Sequence, residues 1–292
     1  MSTTAAAAPA AAAADGSKFK LLRRRLTDEA DVRLASRVLV AVSECCGALA
    51  ERGARDEAPK LHYETRVRDG TFVLHINNAP GATGLLKADD LSTIARVSRR
   101  VLDVRVALDE RALDITVARS SASGAQRVAY TPAAGARLRR ALAIDYSSGG
   151  VTNADDCATL DALIDAVYAS VEHVPADMGV WYERVTSDDD ASESVVGEPA
   201  SSSPVVGYSV CFVHVPVVTC ALFEHLRTTF PAALVNAYVY LAPPAHVAAS
   251  ALCVLNVLAA DADAHAHTQR VRASVPRGLG EQVEPVRKRA RR

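Results

Sequence analysis

The chain has 292 residues, 49% hydrophobic, 5% aromatic and 23% charged, with a formal net charge of −1. That length suits one large domain or two ordinary ones with a real core, while near-neutrality removes any bulk electrostatic case for nucleic acid or a membrane surface. Scarce aromatics argue against a platform that stacks bases.

Residues 1–26 open with "MSTTAAAAPAAAAADGSK", which lacks a basic n-region and is too short and weakly apolar to span a bilayer. A flexible alanine-rich tail is expected there, ending in the basic run that holds Arg23, Arg24 and Arg25. Arginine greatly outnumbers lysine, which with the alanine excess fits a GC-rich genome such as that of a large DNA virus.

Thr27–Asp28–Glu29 carries the cap and acidic first turn of a helix. Ala35, Val38, Leu39, Val42, Cys46 and Leu49 then recur at helical spacing, and Gly53 stops the run. Leu61–Asn77 reads as two strands about an Arg68–Asp69–Gly70 turn, with Pro80 ending the second. A short helix burying Leu91, Ile94 and Val97 follows. Next comes a hairpin over Leu102–Ala118, with Leu102, Val104, Val106 and Leu108 on one side and Asp103, Arg105 and Asp109 on the other.

A linker, 121–151, is expected to carry a basic helix from Ala133 to Ile144 with Arg137, Arg139 and Arg140. From Thr152 the order repeats. A helix runs through Leu160, Leu163, Ile164, Val167 and Val171, then strands over Gly179–Thr186 and Gly207–Pro216. A helix with Leu222, Phe223, Leu226 and Phe230 leads to two strands about Pro243 and Pro244. The expectation is an α+β fold of two tandem αββαββ units, residues 27–120 and 152–262, each an antiparallel sheet with helices on one face. This is a ferredoxin-like layout cyclically shifted by one strand, flanked by disordered tails at 1–26 and 263–292. The acidic, serine-rich insertion 187–204 reads as an unpacked loop, in which Ser187 before three aspartates resembles an acidic-directed phosphorylation site.

Chemical motifs are few. Six cysteines with no C-x-x-C pair read as reduced thiols of a protein that is not secreted. Cys211 and His214 are separated by an odd step along a strand and face opposite ways, and no H-E-x-x-H occurs, so no metal is expected. Gly81 and Gly84 do not form G-x-G-x-x-G, and Lys87 lacks the glycine of a P-loop, so no cofactor or small-molecule ligand is expected. Asp89–Asp90 and Asp155–Asp156 sit at helix starts, where the helix dipole accounts for them. With no G-x-S-x-G either, no catalytic residue is assigned.

The basic runs carry more. Arg23, Arg24 and Arg25, Arg137, Arg139 and Arg140, and Arg287, Lys288, Arg289, Arg291 and Arg292 read as nuclear localisation or phosphate contacts. The sequence therefore points to a non-catalytic protein–protein interaction or assembly protein, nuclear or else cytoplasmic, with a protein partner or a second copy and no membrane. Two alternatives are a nucleic-acid-binding protein that grips phosphates with these runs, and an enzyme with its site where the two units meet.

Overall fold

The computed structural model describes residues 22–53, 62–77, 85–108, 110–133, 144, 146, 150–186, 205–240, 251–260 and 262. The first half contains α1 (Glu29–Gly53), β1 (His62–Arg68), β2 (Thr71–Asn77), β3 (Leu85–Lys87), α2 (Ala88–Arg96), β4 (Val101–Ala107) and β5 (Ala112–Ala118). The second repeats that order: α3 (Ala154–Ala169), β6 (Gly179–Thr186), β7 (Val205–Val213), β8 (Val217–Thr219), α4 (Cys220–Thr229), β9 (Leu234–Tyr240) and β10 (Ala251–Leu258).

The class is α+β, with two antiparallel sheets. One is ordered β1-β2-β5-β4-β8, the other β6-β7-β10-β9-β3. The finer ferredoxin-like layout is not established, because each sheet has five strands and takes the fifth from the other half. Val218 of β8 lies opposite Val106 of β4, and Leu86 of β3 opposite Val239 of β9. Each donated strand runs straight into a helix, β3 into α2 and β8 into α4. In the sequence such three-residue strands look like helix lead-ins, which is why they escape a reading by periodicity.

One continuous apolar core joins the halves. Val38 and Val42 of α1, Leu91 and Ile94 of α2, Leu160 and Leu163 of α3 and Leu222 and Phe223 of α4 share it with Phe72, Leu74, Val210 and Phe212 from the two sheets. Helices α1 to α4 therefore lie on the sheets' inner faces. Tyr130 of the linker packs against this layer. Tyr130 stacks on His225 of α4 with ring centroids 4.0 Å apart, and its hydroxyl donates to Ala166 O of α3 at 3.1 Å.

The halves correspond at several particular positions. Asp28 Oδ1 accepts from the amide of Ala30 at the start of α1, as Asn153 Oδ1 accepts from Asp155 at the start of α3, both at 2.8 Å or less. Three residues on, Asp31 and Asp156 are both buried. Asp31 accepts from Ser120 N and Asp156 from Ala260 N, each amide two residues past the end of its half's last strand. Arg100 donates to Asp31, whereas Tyr208 donates its hydroxyl to Asp156 at 2.7 Å. A register shift after Val101 in β4 has its match after Leu234 in β9. That bulge corrects the alternation expected for the Leu102–Ala118 hairpin. Val101 is buried there while Leu102 is half-exposed, and the Leu102 carbonyl accepts from Val128 N of the linker at 2.9 Å.

The outer faces differ. Across the first sheet, Glu64, His75, Asp114 and Arg105 form one cross-strand row, with His75 Nδ1 paired to Asp114. The corresponding row of the second sheet is Trp181, Cys211, Val254 and Tyr238, an apolar cluster with Tyr240. A charged ladder in one half is thus replaced by aromatic and aliphatic packing in the other.

Candidate nucleic-acid interface

Whole-chain neutrality conceals a division. Arg184 and Arg227 are the only basic residues between 152 and 262, against fourteen Asp and Glu, so the second half is strongly acidic. Exposed arginines gather at one end of the helix layer in the first half. Arg33 and Arg37 stand one turn apart on the solvent side of α1. The Arg37 guanidinium donates to Val97 O at 3.4 Å, which brings it to the end of α2, where Arg96 and Arg99 are exposed. Arg127 reaches the same end and donates to Ala95 O and to Ser98 O, satisfying carbonyls that a helix C-terminus leaves open. Arg23, Arg24 and Arg25 form an exposed helical turn just before α1.

Carboxylates nearby do little to cancel this charge. Glu29 meets Arg33 at 3.4 Å, but both side chains are largely exposed and such a pair contributes little. Asp28 is engaged by the Ser120 hydroxyl and the Ala30 amide, which hold its carboxyl below the usual range. Asp31 is buried against Arg100 and Arg119.

Of the basic residues marked in the sequence, only Arg23, Arg24 and Arg25 fall among the described ones. Arg137, Arg139, Arg140, Arg287, Lys288, Arg289, Arg291 and Arg292 lie outside them, as does Ser187. Arg33, Arg37, Arg96 and Arg99 escape a search for contiguous basic runs, although the four-residue step from Arg33 to Arg37 is visible as one polar face of a helix.

The described thiols are buried wholly or in part. Burial pushes the Cys220 and Cys45 thiols up to about 11 and that of Cys253 to about 12, and raises Cys211 further, so these sulfurs stay protonated at neutral pH. Cys220 bridges Ser92 and Glu224 between α2 and α4, its Sγ 3.9 Å from Ser92 Oγ and 3.7 Å from Glu224 Oε1. Among the described residues no group of three or more His, Cys, Asp or Glu is placed to hold a metal ion. No described helix is long and apolar enough to cross a membrane. No protein-family model, curated protein or solved structure matches the chain.

Proposed function

We propose that this chain is a non-catalytic assembly protein that acts in the nucleus and brings a protein partner to nucleic acid. The observation that carries this reading is the division of charge across two corresponding halves. One half exposes arginines on its helices and the other is acidic throughout, on a scaffold whose buried polar groups are used to hold it together. Unlike surfaces on like frames suit two different partners better than two copies of one ligand. The basic segments at 23–25 and 287–292 support nuclear entry and phosphate contact.

The experiment is affinity capture of the tagged full chain from nuclei of its native host, with and without nuclease, followed by reconstitution of any captured protein with the purified chain. A protein that stays bound after nuclease treatment and forms a complex of fixed stoichiometry supports the reading. A chain that sediments as a monomer, reconstitutes with no captured protein and binds no nucleic acid contradicts it.

A further inference from the structure

We infer that Arg33, Arg37, Arg96 and Arg99 form a sequence-independent docking surface for the phosphate backbone of duplex DNA. The inference rests on the nucleic-acid part of the reading above and moves the contact from the basic tails to the folded helix layer. The two halves supply an internal control. With Asp28 matched to Asn153, Arg33 and Arg37 correspond to Ala158 and Ala162. With the helix caps Lys87 and Thr219 matched, Arg96 corresponds to Thr228. With Arg100 and Ala233 matched, since each accepts from the last residue of its half's final strand, Arg99 corresponds to Ala232. The same frame is built in the second half with no charge at any of these positions, so the fold does not require the arginines.

Their placement fits a phosphate backbone. Arg33 and Arg37 lie along one helix face, and Arg37 touches the turn that bears Arg96 and Arg99. Neither 22–53 nor 88–100 contains Phe, Tyr or Trp, so this surface has no ring on which an unpaired base can stack. Charge without stacking favours the double helix, whose phosphates are held by salt-sensitive contacts that carry no sequence information.

The test is a titration of a 20-base-pair duplex and of its single strand with the full chain over a salt series. The variants are Arg33→Gln/Arg37→Gln/Arg96→Gln/Arg99→Gln, the same four positions changed to Lys, and a chain lacking 287–292. The Gln variant is expected to bind duplex at least about tenfold more weakly at low salt, with the salt slope reduced by about one per lost contact. The Lys variant should remain within about threefold of wild type, and urea midpoints should confirm that both are folded. Wild-type affinity in the Gln variant, tighter binding of the single strand than of the duplex, or binding abolished by loss of 287–292 alone would overturn the inference. No duplex binding by the wild-type chain at low salt overturns it too, but leaves the protein-assembly reading to be decided by capture and reconstitution.

Discussion

Asp31 and Asp156 are one structural device met with different chemistry. Each ties the first turn of its helix to the chain leaving the last strand, but a guanidinium completes one and a phenol the other. A buried carboxylate is costly unless its lone pairs are filled, so each partner matters. Asp31→Ala is expected to lower stability by about 3 kcal/mol, and Tyr208→Phe by about 2 kcal/mol through the bond to a charged acceptor. Urea unfolding of Tyr208→Phe, Asp156→Asn and the double variant gives the coupling, and additive losses would remove Tyr208 as the partner. The sequence explains Asp155–Asp156 by the helix dipole alone. The true partner of Asp156 is 52 residues away and cannot be seen by local pattern.

The buried thiols and phenols give stability a dependence on alkali. In the unfolded chain cysteines ionise near their ordinary value, while burial holds Cys220 at about 11 and Cys253 and Tyr240 at about 12 in the folded one. The unfolded state therefore loses its protons first. This contribution is fully present below about pH 8.5 and is lost as pH rises toward 12. Urea midpoints should be flat from pH 7 to 8.5 and fall between pH 9 and 11, and a midpoint unchanged at pH 11 would show these groups to be open to water.

Among the elements, the legible ones are those whose pattern is local. Alternation marks β1, β2, β4 and β5, and a two-residue Asp69–Gly70 turn with Gly70 at φ +70° closes the first hairpin. The strand Gly179–Thr186 is read to the residue. The exchanged strands are illegible because three residues carry no period and their pairing partners lie in the other half. Exchange makes each sheet depend on both halves. Leu86→Ala in β3 leaves a cavity under the second sheet and beside α2, and is expected to cost about 2–5 kcal/mol. Its effect should appear as a single shifted transition by both far-UV circular dichroism and fluorescence of the lone tryptophan, Trp181. Two separated transitions would show that the halves unfold independently.

On the scale of the molecule, the repeated element order is legible and the uneven charge of the halves is not. A net charge of −1 reads as a neutral core, although Lys and Arg are nearly absent from one half and exposed arginines line the helices of the other. Summed charge hides this because the basic tails and linker offset the acidic half. The arginine surface emerges only when α1 and α2 are brought together and their counterparts α3 and α4 are compared with them. A field of this kind steers a polyanion to one side of the molecule and disfavours it on the other.

Hydrogen exchange of the full chain, with and without a saturating 20-base-pair duplex, reads that division directly. Slowed exchange is expected in residues 22–44 and 93–100, with 154–177 unchanged. Protection confined to 154–177, or firm duplex binding with no protection in α1 and α2, would contradict it.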